Sequence, residues 1–152
     1  MEFSSRSEHA IHGLCYLSKK PGSVPTYVSE IARNQKVSES YLAKIFQSLS
    51  KRGIVTSYRG IRGGYSLSRN PEKITLKEIV QAVEGESNIF SCSAVKRSCK
   101  IEDECIIKLT FQSAEEKMYN VLDKTTLQDI IDELNYPELS FEKLERLSSQ
   151  EK

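Results

Sequence analysis

One stretch of the chain constrains its fold more than any other. It runs "TYVSEIARNQKV", "SESYLAKIFQSLSKRG", "IVTSYRGIRGGYSLSR". The first two pieces carry apolar residues at helical spacing: Val28, Ile31 and Ala32, then Leu42, Ile45, Phe46 and Leu49. A tight polar turn around 34–37 joins them. Ser38 is a natural N-cap for the second helix and Gly53 suits its left-handed C′ position. Two short helices in this arrangement make a helix-turn-helix. In the third piece Val55, Ser57 and Arg59, then Tyr65, Leu67 and Arg69, alternate with period two around a glycine-rich tip at Gly60–Gly64, which predicts a β-hairpin. A basic hairpin directly after a helix-turn-helix predicts a winged helix. The fold class is therefore mainly α with a small β-hairpin wing.

The same stretch concentrates positive charge. The whole chain of 152 residues has a formal net charge of only +1. Yet Lys44, Lys51, Arg52, Arg59, Arg62, Arg69 and Lys73 fall between 44 and 73 against the single acid Glu72. Residues 112–152 hold ten acids and five bases. A basic segment in a neutral protein is either a solvated surface or an anion-binding face. A winged helix makes it a DNA-reading face. The N-terminal part of a recognition helix reaches base edges in the major groove, here Ser38, Ser40, Tyr41 and Lys44 beside Glu39, with Lys51 at its far end. Arg59 and Arg62 on the wing suit the minor groove, where Gly63 lets the backbone come close.

Around this unit the pattern predicts further helices. "SRSEHAIHGLCYLSKKPG" reads as a first helix with a Ser5/Glu8 capping box, Cys15 on its apolar face, and Pro21-Gly22 as its stop. "TLKEIVQAVEG" reads as a fourth, with a Thr75/Glu78 capping box and Gly85 as its stop. A long helix from about Glu104 to Leu122 bears Ile107, Phe111, Ala114, Met118 and Val121, spaced as a heptad seam. Since the winged core reads as complete before it, the seam is expected to form a homodimer contact. "TLQDIIDEL" is one more short helix. The expected division is a winged helix-turn-helix domain over 1–85, a cysteine-rich loop over 86–105, a dimerisation helix with the short helix after it over 104–136, and a tail over 137–152.

No apolar run approaches the roughly 20 residues of a membrane span, and the N-terminus lacks a basic region followed by an apolar core. A cytoplasmic protein with no membrane partner is expected, in a compartment where thiols stay reduced. That bears on "CSAVKRSCKIEDEC", where Cys92, Cys99 and Cys105 are spaced C-x6-C-x5-C. Structural zinc needs four ligands, commonly in short knuckles, which this spacing lacks. Iron–sulfur sites accept looser spacing and non-cysteine ligands, and Lys96, Arg97 and Lys100 would offset thiolate charge. Redox switching of the thiols also stays open. The chain shows no Ser/His/Asp arrangement, no phosphate loop and no H-E-x-x-H, so an enzyme is not expected.

The winged-helix stretch "SESYLAKIFQSLSKRGIVTSYRGIRGGYSL", three following cysteines and a dimerising helix together resemble the Rrf-two family of bacterial transcription regulators, over about residues 1–134. "SYL", the "RGIRGGY" wing and the cysteine spacing carry the resemblance most specifically. It implies a homodimeric regulator, a repressor, that binds a palindromic double-stranded DNA operator. It further implies a [2Fe-2S] or [4Fe-4S] cluster on Cys92, Cys99 and Cys105 that senses iron, redox state or nitric oxide. The family's biogenesis regulators place a histidine three residues after the third cysteine, where this chain has Lys108. Its nitric-oxide sensors and some redox sensors use an acid near the start of the first helix, reaching the partner subunit's cluster, and Glu8 holds that place. His9 and His12 are weaker candidates. Members without a cluster tend to lack the cysteines. The alternative is a cluster-free regulator controlled by a protein partner or by thiol oxidation.

Overall fold

Phe46, Leu42, Ile45 and Leu49 project from one face of a 13-residue helix, and all four are fully buried. The fold is built around that face. The computed structural model describes residues 3–20, 24–85 and 105–135. Among them, the elements in order are α1 (Ser5–Ser18), α2 (Val28–Gln35), α3 (Glu39–Lys51), β1 (Val55–Tyr58), β2 (Gly64–Leu67), a 3-10 turn (Pro71–Lys73), α4 (Leu76–Glu84), α5 (Ile106–Lys124) and α6 (Leu127–Asn135). This is the expected winged helix-turn-helix followed by a long helix.

Local chemistry sets the boundaries. Ser38 caps α3 by accepting from the Tyr41 N–H, and Gly53 follows the helix with φ +69. Thr75 and Glu78 form the reciprocal capping box of α4, and Gly85 ends that helix with φ +87. The α2–α3 turn depends on a non-glycine residue in the left-handed region, Lys36 with φ 56, which lets Val37 N–H reach Ala32 C=O at 3.0 Å.

The first helix departs from the expectation. Its N-cap is Ser4, whose side chain accepts from the Arg6 N–H, so Ser5 and Glu8 form no capping box. The cause is nonlocal. Glu84, at the end of α4, accepts from the Ser4 N–H (3.1 Å), the Ser4 hydroxyl (2.6 Å) and the Ser7 hydroxyl (2.7 Å), and so fixes where α1 begins. The Pro21-Gly22 stop lies outside the described residues.

β1 and β2 pair antiparallel from Val55↔Leu67 to Tyr58↔Gly64, and Thr26 adds a one-residue bridge to Tyr65 on the other side. That bridge is why residue 64 is glycine. It has φ +131, and a Cβ there would collide with the Thr26 backbone. In the centre of α1, Gly13 leaves room for Phe46, whose ring would lie 2.9 Å from an added Cβ.

The core is also larger than the sequence pattern implies. Leu127, the first residue of α6, is fully buried in the same cluster as Leu14, Phe46 and Ile79, with Ile130 and Ile131 packed against it. Leu127 N–H donates to Ile74 C=O at 2.8 Å, and Leu76 N–H donates to Thr125 C=O at 2.9 Å. α6 thus turns back onto α1 and the 3-10 turn and completes the winged unit. By contrast α5 contributes no buried residue. No helix among the described residues is long and apolar enough to cross a membrane.

Candidate nucleic-acid interface and cysteine site

The start of α3 and the hairpin border one cleft of about 230 Å³, lined by Tyr27, Glu39, Ser57, Tyr58, Gly60 and Gly63 among others. Ser38, Ser40 and Lys44 are exposed beside it, and Arg59 and Arg62 are exposed on the wing. Lys44, Lys51, Arg59 and Arg62 have no acidic partner among the described residues. Two other cations are spent within the fold. Arg69 pairs with Glu78 at 2.6 Å, and Lys20 pairs with Glu30 at 2.7 Å. Pairing therefore sets Arg69 apart from Lys44, Lys51, Arg59 and Arg62, a distinction the sequence could not make. Glu39, an awkward neighbour for phosphates, sits in the first turn of α3, where a carboxylate complements the helix dipole.

Two of the expected contact residues have evident structural duties. Tyr41 turns toward α1. Its ring meets the His9 ring edge-on at 5.6 Å, and its hydroxyl lies 3.4 Å from the Ser5 hydroxyl. Gly63 is buried in the wing turn, where its N–H donates to Gly60 C=O at 2.9 Å. An added Cβ at Gly63 would lie 2.7 Å from Tyr58 C=O. Tyr27, a residue that sequence reasoning passed over, donates its hydroxyl to Ile61 C=O at the wing tip. No local pattern could reveal that pairing, because the two residues are 34 apart.

A second cleft, of about 420 Å³, lies between α1, the end of α2 and α6. Glu8, His9, His12, Cys15 and Leu134 line part of it. Glu8 and His12 are exposed, and the Glu8 carboxylate forms no ion pair among the described residues. His9 is tied to α2. Gln35 donates its amide N–H to His9 C=O (3.1 Å), so its Oε1 is left to accept from His9 Nδ1–H (2.8 Å). Cys15 is a core residue, as its place on the apolar face implies, and burial pushes its thiol up to about 11. A buried thiol held protonated in this way is a weak nucleophile, which fits a packing role.

Cys105 is the N-cap residue of α5 and is partly exposed, with no capping hydrogen bond from its side chain. Its sulfur makes no capping bond among the described residues and stands at a helix N-terminus, a setting complementary to anionic groups. Cys92 and Cys99 lie outside the described residues. Among the described residues no three His, Cys, Asp or Glu side chains form a metal-holding group.

Comparison with known proteins agrees with this architecture. The family model described as Rrf2, iron-dependent transcriptional regulator, matches residues 3–133. The transcriptional regulator NsrR of Bacillus licheniformis is 30% identical over 132 residues, covering 86% of this chain and 92% of that protein. The solved structure of T. potens IscR superposes with a TM-score of 0.66 at 26% identity, covering 88% of each chain. The structure of CymR, the global cysteine regulator of B. subtilis, superposes with a TM-score of 0.64 at 28% identity, covering 87% of this chain and 97% of that one. NsrR of Bacillus licheniformis is named as an HTH-type transcriptional regulator and not as an enzyme.

Proposed function

The chain belongs to the Rrf2 family of DNA-binding transcriptional regulators, and from that premise we propose that it is a homodimeric repressor whose operator affinity is set by an iron–sulfur cluster. One observation supports the dimer above others. α5 is 19 residues long and buries none of them, while Ile106 (74% exposed), Ile107 (54%), Phe111 (42%) and Val121 (44%) stand open to water. α5 packs along α4 and still leaves an exposed apolar stripe, which suits a second copy of the chain. Two winged units related by a two-fold axis read a palindromic operator, with Ser38, Ser40 and Lys44 toward base edges, Arg59 and Arg62 toward the minor groove, and Lys51 toward phosphate.

The residues at hand fit a cluster. Cys105 makes no capping bond among the described residues, Cys15 is buried in the core, and Cys92 and Cys99 complete the thiols of the chain. Cys92, Cys99 and Cys105 would hold it, with the uncommitted carboxylate of Glu8 reaching from the other subunit. A cluster bound there would supply redox-active iron. The chain's own part is mechanical. A group held by Cys92, Cys99 and Cys105 would tie the connection after α4 to the start of α5, and Glu84 links the end of α4 to the start of α1. Small changes there alter the setting of two half-site readers, and a coupling of about 1–3 kcal/mol changes affinity some 5- to 150-fold.

Anaerobic purification with iron and sulfide analysis tests the cluster. Stoichiometric iron and sulfide in the wild type, lost in Cys99→Ala, is the expected result. A second reading, a cluster-free regulator controlled by a protein partner or by thiol oxidation, is favoured by the likeness to the global cysteine regulator. Colourless, iron-free protein from the same preparation would support it.

A further inference from the structure

The most exposed large apolar side chain in the described fold is at the wing tip. Ile61 is 94% exposed, between Arg59 and Arg62. It occupies the first of the two central positions of a four-residue turn, closed by Gly63 N–H to Gly60 C=O at 2.9 Å. Such positions favour proline or polar residues, so nothing in turn chemistry asks for isoleucine. The core does not ask for it either, since the side chain touches almost nothing. The tip is nevertheless built firmly. Gly60 adopts φ +93, Gly63 has no room for a side chain, and the Tyr27 hydroxyl holds the Ile61 carbonyl. A β-branched side chain on a fixed backbone is stiff and loses little entropy when it is inserted.

We propose that Ile61 is an apolar wedge that enters the minor groove and partly unstacks one base step, a role that rests on the DNA reading above. Arg59 and Arg62 on either side suit the negative potential of a narrow minor groove and would hold the wedge over the step. Insertion of isoleucine between base pairs kinks the duplex. Pyrimidine–purine steps (TA, CA/TG) unstack most easily, so the wedge would select such a step at a position where no hydrogen bond reads a base.

The test selects random-sequence duplexes with the full chain and, in parallel, with Ile61→Ala. The winning duplexes then receive end labels, and bending is read by energy transfer. The wild type is expected to enrich a pyrimidine–purine step outside each major-groove half-site and to bend the duplex. Ile61→Ala is expected to keep the half-site bases, lose the step preference and the bend, and bind on the order of tenfold more weakly, from the apolar area it no longer buries. The same step enrichment and bend in Ile61→Ala would overturn the wedge and leave the DNA reading standing. A wild-type protein that enriches no sequence at all would overturn the DNA reading and the wedge with it.

Discussion

At the level of single residues, the fold rests on a few side chains whose loss has a calculable cost. Phe46 is fully buried and packs against the backbone of Gly13 and, at 5.1 Å, the ring of Tyr65. Phe46→Ala is expected to destabilise the protein by about 3–5 kcal/mol in denaturant unfolding, the range for a buried ring replaced by a cavity. Glu84 gives a pH signature. Burial would raise its carboxyl, but hydrogen bonds from Ser4 and Ser7 outweigh burial and hold it below the usual value of 4.5. A depressed carboxyl contributes stability above its unfolded value, and that contribution fades as pH falls through the folded one. Glu84→Gln is therefore expected to cost on the order of 1 kcal/mol at neutral pH. The gap from wild type should close progressively as the medium is acidified below 4.5. A gap that stays constant into acid would show that the carboxylate charge is not what joins α4 to α1.

At the level of elements, the sequence spoke clearly wherever the determinants lie within a few residues of each other. Ser38 with Tyr41, Thr75 with Glu78, and the turn glycines Gly53 and Gly85 could all be read from their neighbours. Where partners come from far along the chain, local pattern misled or was silent. Ser4 displaces Ser5 as the cap of α1 because Glu84, 80 residues away, binds it. Leu127 and α6 join the core because the chain returns after α5, which no periodicity announces. In the candidate site, the cations on α3 and the wing were legible, but the diversion of Arg69 to Glu78 and of Tyr41 to His9 were not. The element-level predictions follow from what remains free. Arg59→Ala is expected to weaken operator binding by about 1–3 kcal/mol and relax preference where the wing contacts DNA, whereas Lys51→Ala should weaken binding evenly across sequences. Competition titrations against specific and random duplexes separate the two behaviours.

For the molecule as a whole, the proposed assembly rests on α5. This helix adds no buried residue to the core, and Ile106, Ile107 and Val121 on it are exposed, so the proposed contact with a second copy is placed there. Phe111→Glu combined with Met118→Glu places charge in that contact and is expected to give monomers in sedimentation velocity, with the unfolding transition of the winged unit retained. An undisturbed dimer would place the interface elsewhere. A dimer of this kind would make DNA affinity sensitive to small rotations between the two units, because a rotated half-site reader loses contacts that its partner cannot replace. Such sensitivity is what an affinity switch at the α4–α5 connection requires.

The central claim is that the state of the Cys92, Cys99 and Cys105 site sets DNA affinity. It is tested most directly by one titration on one duplex taken from the wild-type selection. Protein purified without oxygen is assayed for iron and sulfide and titrated onto that duplex at fixed salt. The same preparation is then stripped of iron and titrated again, with Cys99→Ala as the reference for a protein that cannot hold the group. Expected is a change in affinity between the loaded and stripped forms within the 5- to 150-fold range of an allosteric coupling of about 1–3 kcal/mol, with Cys99→Ala matching the stripped form. Equal affinity of the loaded and stripped proteins would contradict the switch, even if iron and sulfide are present in full.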